Sequence, residues 1–170
     1  MKKSIGLTTA LSVVLLAAPA FAAPPQLLNK TITISFTATG VGKSPEGVQR
    51  GFNTQVSRII YVSSAGRLFI RHRASLRGNT RGGDTAPGEG NGSFSFQGNR
   101  LVGVQSFGTG ARQYSVTFDP SFSSCTASII EGKSGGVIRR KSPDGTMYEI
   151  TGGTTSAVSC SIQNGNAFAG

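Results

Sequence analysis

Apolar and polar residues alternate with a period of two along most of this chain, which is the pattern of half-buried strands. Residues 30–38 show it clearly. Ile32, Ile34 and Phe36 fall on one face, and Thr31, Thr33, Ser35 and Thr37 on the other. Residues 93–97 place Phe94 and Phe96 together. Residues 101–107 follow the turn Gln97-Gly98-Asn99-Arg100, and residues 112–119 align Tyr114, Val116 and Phe118. Further strands are expected over 126–131, 137–141, 146–151 and 156–163, with Ser142-Pro143-Asp144-Gly145 as a strong turn signal between two of them.

The centre of the pattern is residues 56–73, VSRIIYVSSAGRLFIRHR. It reads as a hairpin closed by the three-residue loop Ser64-Ala65-Gly66, because Gly66 tolerates the positive φ that such a loop needs at its end. This register sets Val62 opposite Leu68, Tyr61 opposite Phe69, Ile60 opposite Ile70, and Ile59 opposite Arg71. Val56, Ile60, Val62, Leu68 and Ile70 then form a core face. Tyr61 and Phe69 lie on the other face beside Arg67, Arg71 and Arg73. A two-residue loop would shift the pairing by one and scramble both faces.

About eight to ten short strands with regularly spaced turns, and no helical period after the first 22 residues, predict an all-β, meander-like antiparallel barrel or two-sheet sandwich. Hairpin-like connections after Gln55 favour the barrel. Two stretches fit a compact meander poorly. Residues 39–54 are glycine-rich and contain Pro45. Residues 77–92, RGNTRGGDTAPGEGNG, lack any large apolar side chain and read as a long disordered or functional loop.

The first 22 residues change the picture of where the protein resides. Lys2 and Lys3 precede a short apolar run that ends in Ala20-Phe21-Ala22. These are the parts of a secretory signal peptide, and the run is short for a membrane anchor. Residues 1–22 are therefore expected to be the signal and residues 23–170 a single all-β domain. Two lysines and a compact leader suggest a bacterium, so the destination is the periplasm or the medium.

In an exported chain the two cysteines, Cys125 and Cys160, predict a disulfide. Cys125 shares a strand face with Ala127 and Ile129, and Cys160 with Val158 and Ile162. Both thiols are thus expected to point inward, where a bridge between strands can form. Nothing resembling a CxxC redox motif is present.

Charge supplies the candidate chemistry. The formal net charge is +10, with 17 Lys and Arg against seven Asp and Glu. Arg50, Arg58, Arg67, Arg71, Arg73, Arg77 and Arg81 fall within residues 47–83, a span that contains no acid. Arginine forks suit phosphate, sulfate and carboxylate, and the rings of Tyr61 and Phe69 suit sugars. The expected function is non-catalytic binding at the cell envelope through this anion-binding face of Arg67, Arg71, Arg73, Tyr61 and Phe69. Its partners would be polysaccharide, lipopolysaccharide or lipid headgroups, which allows peripheral membrane contact. The blander alternative is a solvated basic face. A second function is a small secreted inhibitor or protein-interaction module that uses the glycine-rich loop.

Other classes lack support in the sequence. Nucleic-acid binding would rest on net charge alone, with no reading motif. His72 is the only histidine; it faces Arg58 in the expected register, and no nucleophile signature accompanies it. Glu46, Asp84, Glu89, Asp119, Glu131, Asp144 and Glu149 are scattered, and only Asp84 and Glu89 share a loop. No enzyme activity, cofactor or metal is expected. Gly42-Lys43-Ser44 and Gly132-Lys133-Ser134 lack the first glycine of a phosphate-binding loop and read as turns. An outer-membrane barrel would want longer strands and aromatic girdles, and Trp is absent.

Overall fold

The computed structural model describes residues 22–76, 79–85, 92–107, 110–132, 138–141 and 145–168; the leader assigned to residues 1–22 lies almost wholly outside them. Among the described residues a short 3₁₀ turn, Pro25–Leu27, precedes ten strands: β1 Lys30–Lys43, β2 Gln49–Val62, β3 Leu68–Leu76, β4 Asn79–Thr85, β5 Gly92–Gln97, β6 Arg100–Phe107, β7 Gly110–Phe118, β8 Cys125–Gly132, β9 Ile138–Lys141 and β10 Met147–Asn164. They form two antiparallel sheets. The larger has the order β4-β3-β2-β1-β10-β9, and the smaller β5-β6-β7-β8. Strand pairing therefore follows the two-sheet alternative, because β10 returns from the far end of the chain to pair with β1 in the middle of the larger sheet.

The alternation in the sequence becomes the core. Ile32, Ile34, Phe36, Val56, Ile60 and Val62 of the larger sheet meet Phe96, Leu101, Tyr114, Val116 and Phe118 of the smaller, all of them buried. Leu27 closes one end and is fully buried. The Phe36 and Tyr114 rings pack edge to face with centroids 6.2 Å apart, an arrangement that the ring quadrupoles favour. Cys125 of β8 and Cys160 of β10 are bonded with Cα atoms 5.6 Å apart, so the disulfide staples one sheet to the other.

Three stretches depart from the expectation. Residues 39–54 form the far half of the long β1–β2 hairpin, turning through residues 44–48, where the Ser44 N–H donates to Val48 O at 2.8 Å. Glycine serves packing there: a Cβ on Gly42 would lie 2.4 Å from Cε2 of Phe52 and 2.9 Å from Cβ of Tyr148. Phe52 and Tyr148 pack edge to face at 5.6 Å, with the Arg50 guanidinium 5.6 Å from the Tyr148 ring.

Part of the supposed loop 77–92 is the edge strand β4, paired with β3 from Ile70↔Thr85 to Leu76↔Asn79. An edge strand can be held by backbone bonds to one neighbour, so the lack of large apolar residues does not prevent it. Residues 86–91 lie outside the described residues. The strands expected over 146–151 and 156–163 are one, β10, which stays paired with β1 through two register shifts. At the first of these, Ala157 takes φ 50, which accommodates the extra residue opposite Phe36.

Candidate anion-binding face

The hairpin register is the one the pattern predicted. Val62 pairs with Leu68, Tyr61 with Phe69, Ile60 with Ile70, Ile59 with Arg71, and Arg58 with His72. The Ser63 N–H donates to Arg67 O and the Gly66 N–H to Ser63 O, both at 2.9 Å, and Gly66 has φ 73. A side chain at Gly66 would be strained, which ties the register to this residue.

Tyr61, Phe69, Arg71 and Arg73 consequently share the outer face of the larger sheet. The Tyr61 and Phe69 rings lie 6.2 Å apart, tilted by 36°, and both are half-buried. The Tyr61 hydroxyl donates to Asn29 Oδ1 at 3.3 Å. Arg67, just past the loop, is exposed, and its backbone N–H donates to Ser63 Oγ at 3.0 Å. Arg73 Nη1 donates to the His72 carbonyl at 3.0 Å. Beside the arginines the face is lined with hydroxyls and amides. Ser35 and Ser57 lie 3.2 Å apart through their Oγ atoms, the Gln55 side-chain amide donates to Thr37 Oγ1 at 3.0 Å, and Thr39 bonds Thr154 at 2.7 Å.

Two features of this face lie beyond local pattern. The acid-free span ends one residue before Asp84, and β4 carries Asp84 directly opposite Arg71, while Gly82 stands opposite Arg73. In addition, Arg71 Nη1 donates to Ala167 O at 3.4 Å and its guanidinium lies 4.4 Å from the centre of the Phe168 ring. Four of the five residues named from the sequence share one sheet face and Arg67 is exposed beside the loop, but Arg71 is engaged by residues 167 and 168.

Compared with family models, curated proteins and solved structures, the chain matches none.

Two arginines turn inward instead. Arg58 is 2% exposed and Arg112 8%, although both are ionic residues on strands. The Arg58 guanidinium lies 5.4 Å from the centre of the Tyr114 ring, and that of Arg112 lies 4.8 Å from the centre of Phe36. Burial pushes the Arg58 guanidinium down to about 10; Tyr114 opposes the shift and Arg112 adds to it. Strict alternation carried the signal. Arg58 shares its parity with Val56 and Ile60, and Arg112 with Tyr114 and Val116. Across β7–β8, Arg112 stands opposite Glu131.

His72 is half-buried opposite Arg58, and its Nδ1 is buried without a hydrogen-bond partner. Among the described residues no group of three or more His, Cys, Asp or Glu could hold a metal ion. Glu46 sits in the β1–β2 turn, where a hydrogen bond from Ser44 holds its carboxyl below the ordinary value. Asp119 organises the turn into β8, accepting from the N–H groups of Ser123 and Ser124, each at 2.7 Å, and from the Ser121 hydroxyl. These bonds hold its carboxyl well below the usual carboxylate range. Glu89 lies outside the described residues.

The outer face of the smaller sheet also carries a groove of about 330 Å³, lined among others by Ser95, Arg100, Val102, Val104, Ser115 and Ile130. Arg100 Nη2 donates to Ser115 Oγ at 2.8 Å, and Ile130 is 63% exposed. In the sequence, alternation marks Ser95, Val102, Val104, Ser115 and Ile130 as outward-facing.

Proposed function

We propose that this protein is an exported, non-catalytic binding protein of the bacterial cell envelope that recognises anionic polymers through the outer face of the β2–β3 hairpin. The observation that carries this reading is the aromatic pair Tyr61–Phe69 sharing one face with Arg71 and Arg73, with Arg67 exposed at the end of the same hairpin. Guanidinium forks bind carboxylate, sulfate and phosphate oxygens, and exposed rings take the apolar faces of sugars. Hydroxyl and amide side chains beside them, from Thr37 to Ser57, can exchange hydrogen bonds with a polyol. The leader-like N-terminus and the Cys125–Cys160 disulfide support an oxidising compartment, the periplasm or the medium.

The test is binding to acidic and neutral polysaccharides across a salt series, with the triple variant Arg67→Glu, Arg71→Glu, Arg73→Glu beside the parent and a melting curve for each. Binding that falls steeply with salt and is absent in the folded variant supports the reading. Equal binding by both proteins would make the arginines a solvated face.

A second reading is a protein-interaction module acting through residues 77–92. The observation that favours it is β4, which forms one edge of the larger sheet and so offers its unpaired side to a partner strand. A complex of that kind would survive both high salt and the triple charge reversal.

A further inference from the structure

After Asn164 the chain leaves β10 and crosses the outer face of the larger sheet. The Gly165 N–H donates to Asn29 O at 2.8 Å. Thr31 Oγ1 donates to Gly165 O at 2.7 Å and accepts from the Ala167 N–H at 3.1 Å. Thr31 is outward-facing by alternation yet 0% exposed, so it lies beneath this segment. The Phe168 N–H donates to Asn166 Oδ1 at 2.9 Å, which folds the segment into a turn. That turn delivers the Ala167 carbonyl and the Phe168 ring to Arg71.

Arg71 is thus met by an oxygen acceptor and a flat ring, both supplied by neighbouring residues of one short segment. We propose that residues 166–168 form a strap over the Arg71 half of the anion-binding face, and that an acidic polysaccharide displaces it. The proposal rests on the reading given under Proposed function and deepens it by naming ligand class and regulation. A uronic-acid residue carries a carboxylate on a pyranose ring: the carboxylate can take the place of the Ala167 carbonyl at Arg71, and the apolar face of the sugar can lie against the Tyr61–Phe69 pair. Its carboxylate is charged where the Ala167 carbonyl is neutral, and charge-assisted bonds to a guanidinium are the stronger kind. The phosphate of phosphatidylglycerol supplies oxygens but no sugar ring for that pair.

Among the described residues, the strap meets the sheet past Gly165 through the bond from Ala167 N–H to Thr31 Oγ1 and a long one from Arg71, contacts that a ligand can exchange. A ligand that must displace it binds with an apparent affinity reduced by the fraction of open molecules. Removing the strap should therefore tighten binding, by roughly tenfold if it is closed about nine-tenths of the time.

The test compares the parent protein, a chain ending at Gly165, Phe168→Ala and Arg73→Glu, each checked by thermal melting. Ending at Gly165 keeps the anchoring bonds to Asn29 and Thr31; Phe168→Ala serves if the shortened chain is unstable. The probes are polygalacturonate and phosphatidylglycerol vesicles, and exchange of the Ala167 amide is followed with and without each. The expected result is tighter polygalacturonate binding by the shortened chain and by Phe168→Ala, with Ala167 protected in the free parent and unprotected in the complex. If the parent binds, Arg73→Glu does not, and shortening changes nothing while Ala167 stays protected, the strap is refuted and the binding face stands. Weaker binding after shortening would make the segment part of the site and also refutes the strap. Displacement by vesicles but not by polygalacturonate overturns the ligand class. If no protein binds either probe, the binding face and the strap fall together.

Discussion

Arg58 and Tyr114 come from different sheets, and the guanidinium of one lies 5.4 Å from the centre of the other's ring, inside the core. A charged group at 2% exposure carries a large desolvation cost, which the ring and its hydroxyl offset only in part.

Replacing Arg58 with Met, which keeps a long apolar stem, should leave the protein at least as stable at pH 7, with a gain of about 1–3 kcal/mol. The sign follows from linkage. The folded-state value, about 10, lies below the ordinary 12.5, so the unfolded chain binds the proton more tightly. The cost is complete below pH 10, where both states are charged, and is relieved between the two values. Denaturation curves should show the advantage of the variant shrinking as pH rises above 10. A large loss at pH 7 would mean that Arg58 is a net stabiliser.

The disulfide closes a loop with a sequence separation of 35 between Cys125 and Cys160. Changing both to Ser should lower stability by about 3–4 kcal/mol, on the chain-entropy argument for a loop of this length. Urea unfolding of the two proteins measures it directly. A difference near zero would show that the packing of β8 against β10 holds the two sheets without the bridge.

Gly103 lies on β6 under Phe94, and a Cβ there would stand 2.4 Å from two carbons of that ring. Phe94 in turn packs 5.5 Å from Tyr114. Gly103→Ala should therefore displace a ring that belongs to the core, lowering stability by about 1–3 kcal/mol. Pairing it with Phe94→Leu, which vacates the space, should recover part of the loss in the double variant.

Asp119 binds the backbone of the turn that leads into Cys125. Because its carboxyl is held well below the ordinary value of 3.8, the charged form persists in acid. A depressed carboxylate contributes stability above the unfolded value and loses it only as pH falls towards the folded one. Protection of the Ser123 and Ser124 amides from exchange should thus persist below pH 3.8, and Asp119→Ala should abolish it at every pH. Protection lost in the parent near pH 4 would contradict this assignment.

Asp84 stands opposite Arg71 in the β3–β4 register. Asp84→Asn should strengthen binding to an anionic polymer by roughly two- to fivefold at low salt, with the gain fading as salt rises. Unchanged affinity across the salt series would place the ligand away from β3.

Local pattern was enough to define most of the elements and one register. Alternation assigned inward and outward residues on β1, β5 and β7, and Gly66 tied the β2–β3 pairing because only one loop length gave it a turn position. With only two cysteines in the chain, Cys125 has a single possible intrachain partner. The named face was legible for the same reason: Tyr61, Phe69, Arg71 and Arg73 lie within one hairpin, where neighbours in space are neighbours in sequence.

Contacts between distant segments were not legible. Periodicity states which side of a strand is apolar, but not which strand lies beside it or what covers it. The pairing of β10 with β1 joins the two ends of the chain, and β4 could be recognised as a strand only once β3 offered its backbone. The inward arginines had the right parity, but composition argues against burying a charge. The opposing sheet brings Tyr114 to Arg58 and Phe36 to Arg112, partners that help to make such burial tolerable. The sequence by itself determined an antiparallel all-β chain, its central hairpin and its disulfide. Tertiary structure decided the two-sheet arrangement, the buried cations, the acid opposite Arg71 and the segment that covers it. Each of these depends on juxtapositions across the chain that no local period records.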